Sequence, residues 1–200
     1  NGWSSQATSD CKVPAMSFHR LSDEVFLDYT RGIASGGIED YDIAMSNDVR
    51  LLSLMLYTLV RLIHARRIVE IGVADGSTTI PLLKAASETG GHVFSIDPSA
   101  CMPANGLVMR LGLSPWWSFY KMGSDDFFAG VPPEIHLAYI DGDHGWPQVE
   151  RDVKNVMQHL VPGGIMVLHD WSPGSDYEIE VSSDRDESYG VARGVKKALR

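Results

Sequence analysis

Cysteine is scarce in this chain: only Cys11 and Cys101 occur among 200 residues, far apart and without Cys-x-x-Cys spacing. Neither a disulfide framework nor a zinc cluster is indicated, and the usage fits a reducing, cytoplasmic compartment. Basic charge is also in short supply, with 17 Lys and Arg against 26 Asp and Glu and a net charge of −9. A phosphate-backbone partner needs clustered cations, so no nucleic acid is expected. Long apolar runs are missing too. The best of them, Leu51 to Ile63, is too short for a bilayer and contains Arg61, and the N-terminus has no signal-peptide pattern, so no membrane partner is expected.

What remains, 44% hydrophobic and 22% charged residues, describes one globular domain with a full core. Residues 1–45 read as an N-terminal segment and 46–200 as the domain proper. Ser46 or Asn47 can cap an apolar helix over 48–64. The pattern then alternates: strand 68–73, helix 78–88, strand 92–97, helix 104–112, strand 116–121, short helix 124–129, strand 135–140, helix 147–160, strand 164–169. Pro147 suits a first helical turn, and Val149, Val153, Val156, Met157 and Leu160 are expected on one face. Such alternation predicts an α/β fold with a doubly wound, mostly parallel, Rossmann-like sheet. Ligands belong at the carboxyl ends of its strands.

The first strand, IVEI, runs into GVADGST with Gly72 and Gly76 and an acidic Glu70. A dinucleotide turn wants a third glycine, and a carboxylate facing the same space would repel a pyrophosphate but suit a cation. An ordinary tight βα turn accounts for the glycines equally well. Asp97 ends the next strand at the distance where a carboxylate reads ribose hydroxyls, although it could also cap the turn before Pro98.

Two further strand ends carry chemistry. LAYIDGDHGW delivers Asp141, Asp143 and His144, and GGIMVLHDW delivers His169 and Asp170. Adjacent parallel strands lie about 4.8 Å apart, so these side chains can converge on one cation. The oxygen ligands suit Mg²⁺, and the imidazole would also accept Mn²⁺ or Fe²⁺. The competing account makes Asp141 and Asp143 turn-formers around Gly142 and His169 a strand-end histidine.

On these motifs, residues 45–171 resemble the class I S-adenosylmethionine (SAM) methyltransferases. Within them the similarity is to the metal-dependent small-molecule O-methyltransferases: the catechol and caffeoyl-CoA type, and more closely the bacterial D-G-D-H type that includes antibiotic sugar methyltransferases. The resemblance implies SAM as cofactor, held by Glu70, Gly72, Gly76, Ser77 and Asp97, with Ser124 or Asp125 of GSDD at the adenine. Helix capping by Ser124 explains the same residue. It further implies a divalent cation on Asp141, His169 and Asp170, where relatives usually carry Asp in place of His169, and a general base at His144 or Asp143. The acceptor would be a small molecule, a vicinal diol fitting chelation best.

Residues 18–45 and the acidic stretch 172–189 would form a lid, with Trp146 and Trp171 as acceptor walls. Relatives continue past a helix, here 190–199, into two more strands; their absence would expose a sheet edge and favour a homodimer. Three rivals stand beside this reading. A metal-dependent hydrolase leaves Glu70, Gly72, Gly76 and Asp97 unexplained, a nicotinamide oxidoreductase lacks its third glycine, and a non-catalytic SAM-binding protein needs nothing from the second site.

Overall fold

The computed structural model describes residues 47–130, 132–170 and 190–200, and the lid segments 18–45 and 172–189 and Trp171 lie outside that range. Helix α1 (Asn47–Leu62) leads into β1 (Arg67–Ile71), α2 (Thr79–Thr89), β2 (His92–Ile96), α3 (Met102–Arg110) and β3 (Trp117–Tyr120). Then follow α4 (Ser124–Ala129), β4 (Ile135–Ile140), α5 (Trp146–His159), β5 (Leu160–Leu168) and α6 (Val191–Ala198). The strands form one parallel sheet in the order β3-β2-β1-β4-β5. Central strands of such a sheet are covered on both faces and need continuous apolar sequence. β1 and β4 obey: Ile68, Val69, Leu137, Ala138 and Tyr139 are fully buried.

The chain runs outward through β1, β2 and β3, then returns to place β4 on the other side of β1. That reversal opens a crevice at the carboxyl ends of β1 and β4. The hydrogen-bond ladder continues one residue past each strand. Gly72 N–H donates to Ile96 O (2.9 Å), Asp97 N–H to Tyr120 O (3.1 Å), Asp141 N–H to Ile71 O (2.8 Å) and His169 N–H to Ile140 O (3.0 Å). Asp97, Gly72, Asp141 and His169 therefore stand side by side along one rim, locked in register by backbone rather than by loop packing.

Two expectations are corrected. β5 begins at Leu160, directly where α5 ends, because its register jumps from Ile135↔Leu160 to Leu137↔Ile165. An edge strand tolerates this irregularity and the Pro162 that lies in it. Met157 is 46% exposed rather than on the core face, since it stands one residue beyond the buried Val156 and is turned about 100° from it. α6 closes over α5 so tightly that a Cβ on Gly194 would stand 2.6 Å from Val149 Cβ. Gly190 N–H also donates to His144 O (2.9 Å), which ties α6 to the loop after β4.

Candidate active site

A cleft of about 650 Å³ opens on this rim, lined by Gly72–Ala74, Ile96–Pro98, Met122–Asp126, Asp141–Asp143, Gln148 and Asp152. Gly72 is where the two halves of the sheet meet. Its φ is +91°, and a Cβ there would lie 2.0 Å from the Asp141 carbonyl oxygen, so no side chain fits. Gly76, at φ +90°, does the same for the close approach of α3, where a Cβ would meet Ala104 Cβ at 2.9 Å. Gly76 and Ser77 are behind the cleft rather than on its wall. Ser77 offers its carbonyl to Ser53 Oγ (3.2 Å) of α1 and donates its N–H to Asp75 Oδ1 (3.0 Å).

Glu70 stands elsewhere than its sequence position suggests. It is fully buried and absent from the cleft lining. Its carboxylate accepts hydrogen bonds from Thr78 Oγ1 (2.8 Å), Thr79 Oγ1 (2.9 Å) and Ser95 Oγ (2.6 Å). Thr78 thus spends its hydroxyl on Glu70 instead of capping α2. Burial pushes the Glu70 carboxyl up to about 7, against the pull of the three hydroxyls. The side chain braces the turn between β1 and α2 from below.

Asp97 does face the cleft. Its Oδ2 accepts the N–H groups of Val73 (3.0 Å) and Ala74 (3.3 Å), and Oδ1 accepts Ser99 N–H (2.8 Å). Burial alone would raise its pKa, but these amides outweigh it and hold the carboxyl below its ordinary value. The result is a fixed negative charge against the glycine turn, with lone pairs remaining for a ligand's hydroxyls.

At the other end of the rim, Asp141, His144 and His169 bring one ligand atom each to within 4.8 Å of one another. Asp141 Oδ2 accepts the buried Tyr139 hydroxyl (2.7 Å), while Oδ1 lies 3.4 Å from His144 Nε2 and 3.2 Å from His169 Nδ1. Burial would raise the Asp141 carboxyl, yet His144, His169 and Tyr139 together hold it well below the usual carboxylate range. Asp141 in turn raises the pKa of both imidazoles against the effect of burial. Asp170, at φ +53°, sets Oδ1 3.1 Å from His169 Nδ1 and Oδ2 3.5 Å from His144 Nδ1.

His169 Nδ1 is shut away from solvent and, despite two carboxylate oxygens nearby, is aligned for a hydrogen bond with neither. Two carboxylate oxygens crowded against one buried imidazole nitrogen call for positive charge between them, which a protonated ring or a metal ion supplies. The donors therefore fit a cation. Two imidazoles with carboxylate oxygen suit Mn²⁺ or Fe²⁺ better than all-oxygen Mg²⁺. Asp143 is exposed, with Oδ1 receiving Gly145 N–H (2.7 Å) in a local turn. Trp146 is covered by cations of α6, with Lys197 Nζ 3.6 Å and Arg193 Cζ 4.5 Å from its ring centre, and so packs a helix seam.

Between the two ends lies a cluster that motif reading only half found. Ser124 Oγ donates to Asp152 Oδ1 (2.6 Å), and the Gly123–Ser124 start of α4 has no side-chain cap, so Ser124 is not a capping residue. Gln148 Nε2 donates to the same Oδ1 (2.9 Å). Asp125 is on the cleft wall and pairs with Arg151 Nε through Oδ2 (2.9 Å). Asp152 and Gln148 were missed, although one signal existed: Asp152 is a charged residue on the face that Val149, Val153 and Val156 bury.

Comparison with known proteins follows this geometry. Residues 69–171, just over half of the chain, match the profile of a family described as a methyltransferase domain. No curated protein sequence is similar enough to count as a relative. Among solved structures, the O-methyltransferase from Bacillus cereus in complex with SAH is 18% identical, covers 91% of this chain and 80% of its own, and has a TM-score of 0.62. The O-methyltransferase TomG from Streptomyces achromogenes, involved in tomaymycin synthesis and solved with SAM, is 19% identical over 89% of this chain and 82% of its own, with a TM-score of 0.61. The SAH-bound methyltransferase PaMTH1 from Podospora anserina is 15% identical over 82% and 81%, with a TM-score of 0.56. At such identities the likeness is one of fold, and it is the family profile, running from β1 to the end of β5, that decides membership. The chain belongs to the methyltransferase-domain family, and its fold is that of the class I SAM-dependent O-methyltransferases.

Proposed function

We propose that the chain is a SAM-dependent O-methyltransferase, assisted by a divalent cation, that acts on a hydroxyl of a small molecule carrying a vicinal diol. One observation carries the reading: a single cleft is bordered by the glycine turn and Asp97 at one end and by Asp141 at the other. Its volume, about 650 Å³, lies within the range of small-molecule sites. Asp97, already ionised and fixed by three amides, accepts the ribose hydroxyls. Glu70 holds the Gly72–Thr79 turn in shape without touching the ligand. TomG and the Bacillus cereus enzyme, solved with SAM and SAH, support the choice of donor.

A sulfonium methyl is already activated, so the protein's task is to hold an oxygen nucleophile in line and to remove its proton. Asp141, His169 and Asp170 would hold the cation, with His144 as a fourth donor from the same loop. When bound, a divalent cation supplies Lewis acidity that lowers the pKa of a chelated hydroxyl. Asp143, exposed and on the cleft wall, would take the proton if His144 is engaged as a donor, and its position on that wall supports the role. Two adjacent oxygens on the acceptor would satisfy the open side of the cluster.

Calorimetric titration with SAM, without and with Mg²⁺ or Mn²⁺, tests the reading, followed by methyl transfer to a panel of diols. SAM binding is expected in the cleft, and Asp141→Ala is expected to abolish turnover while leaving SAM affinity within about threefold. A protein that binds no SAM, or an Asp141→Ala variant fully active in excess EDTA, would remove the proposal.

A further inference from the structure

Tyr139 is the largest completely buried side chain among the described residues, and it stands in β4 between Glu70 of β1 and Val167 of β5. Its strand neighbours Leu137, Ala138 and Ile140 are apolar and buried, so packing alone would be served as well by phenylalanine. The hydroxyl is spent on Asp141, donating to Oδ2 at 2.7 Å. The other oxygen, Oδ1, faces the two imidazoles, 3.4 Å from His144 Nε2 and 3.2 Å from His169 Nδ1. The carboxylate is thus divided, one oxygen tied to the core and one turned to the cluster. A phenol keeps its proton across the working pH range, so the tie persists whatever the imidazoles do. Rotation of the carboxylate would break it, and the ring that makes it is walled in by the sheet. Tyr139 does not line the cleft, so it touches neither donor nor acceptor.

Resting on the reading that Asp141, His169 and Asp170 hold a divalent cation, we propose that Tyr139 is the positioning residue of that site: its hydroxyl occupies Asp141 Oδ2, so that Oδ1 alone is offered to the ion. A carboxylate fixed in this way presents its ligand oxygen without first losing rotational freedom. It also sets a preference among ions. Ca²⁺ takes six to eight oxygens and readily uses both oxygens of a carboxylate, whereas a smaller ion needs fewer and closer donors. With Oδ2 withheld, a small cation such as Mn²⁺ is favoured over Ca²⁺.

The test is a titration of the full chain with Mn²⁺, followed by the electron paramagnetic resonance signal of the free ion, with Ca²⁺ then read by displacement of Mn²⁺. Tyr139→Phe removes one oxygen and keeps the buried ring. Its Mn²⁺ affinity is expected to fall roughly 10- to 100-fold, the usual effect of losing a residue that orients a metal ligand. Ca²⁺ affinity should fall less, because the released Oδ2 becomes available to it, so the preference for Mn²⁺ narrows by at least about threefold. SAM affinity, measured on the same samples without metal, should stay within about threefold of the parent, a difference below 1 kcal/mol. A Tyr139→Phe protein that binds SAM and both ions as the parent does overturns the inference. So does one that loses affinity for Mn²⁺, Ca²⁺ and SAM alike, since general loosening of the core would do that. Should Tyr139→Phe fail to fold, the unsubstituted protein decides: a preference for Mn²⁺ over Ca²⁺ of about tenfold or more upholds the inference, and equal or tighter Ca²⁺ binding overturns it. If the unsubstituted protein binds neither ion, it is the metal reading of the proposed function that fails, and this inference falls with it.

Discussion

Gly72→Ala is the substitution on which the geometry speaks most sharply. The added Cβ would stand 2.0 Å from the Asp141 carbonyl oxygen, 2.5 Å from its carbon and 2.9 Å from Gly142 N, all backbone atoms that cannot rotate aside. The residue is also held at φ +91°, where an L side chain is strained. Strain of that kind costs about 1–3 kcal/mol, and overpacking against a rigid wall adds about 1–3 kcal/mol. Together they predict a loss of roughly 2–6 kcal/mol, or about 4–24 °C in Tm for a chain of this size. Relief can come only by parting the ends of β1 and β4, which displaces the Gly72–Ala74 turn that lines the cleft and whose amides hold Asp97. SAM affinity should therefore fall at least about tenfold, the factor that 1.4 kcal/mol represents. Thermal denaturation and calorimetry on the same samples read both effects. Gly106→Ala serves as the control, because its Cβ meets nothing within 4 Å and it sits inside α3. That change should stabilise by about 0.5–1 kcal/mol. A Gly72→Ala protein that melts with the parent and binds SAM equally would refute the claim that β1 and β4 meet backbone to backbone at this point.

Two other substitutions test the supports of the site. The Glu70 carboxyl is raised from 4.5 to about 7 by burial, so its contribution to stability is complete below about pH 4.5 and is lost as pH climbs through 7. The difference in unfolding free energy between parent and Glu70→Gln should accordingly shift toward the variant by on the order of 3 kcal/mol between pH 4.5 and 8, and a denaturant titration showing no pH dependence of that difference would contradict it. Gly194→Ala, with a Cβ 2.6 Å from Val149 Cβ and 2.8 Å from Trp146 O, should destabilise by about 1–3 kcal/mol through the α5–α6 seam. Loss of the Trp146 contacts with Lys197 and Arg193, read as a shift in tryptophan fluorescence, should accompany it.

The carboxylates of the rim were legible because a parallel sheet puts every strand's carboxyl end on one edge. Once the alternation of strands and helices is read, Asp97, Asp141 and His169 must be neighbours of that edge whatever the loops do. Direction of a side chain was not legible in the same way. Glu70 is inside a strand buried on both faces, and only the hydroxyls of Thr78 and Thr79 at the start of α2 and of Ser95 in β2 decide that its carboxylate turns under the turn and not into the cleft. His144 presented a similar difficulty: its place within 4.8 Å of both other donors depends on how the Gly142–Gly145 loop folds back. Asp152 announced itself by breaking an apolar stripe, but its partner Ser124 is 28 residues away on another helix. The early start of β5 was hidden by Pro162, Gly163 and Gly164, which interrupt a central strand but are accommodated at an edge.

The central claim is that a methyl donor and a cation occupy the two ends of one cleft, with Asp141 at the junction. The most direct test follows the proton NMR line of the SAM methyl group as Mn²⁺ is added to the protein–SAM complex. Strong paramagnetic broadening is predicted, reversed by EDTA and absent in Asp141→Ala at equal SAM occupancy. A methyl line that stays sharp while Mn²⁺ is bound, or that broadens equally in Asp141→Ala, would show that the two ends of the cleft do not serve one reaction.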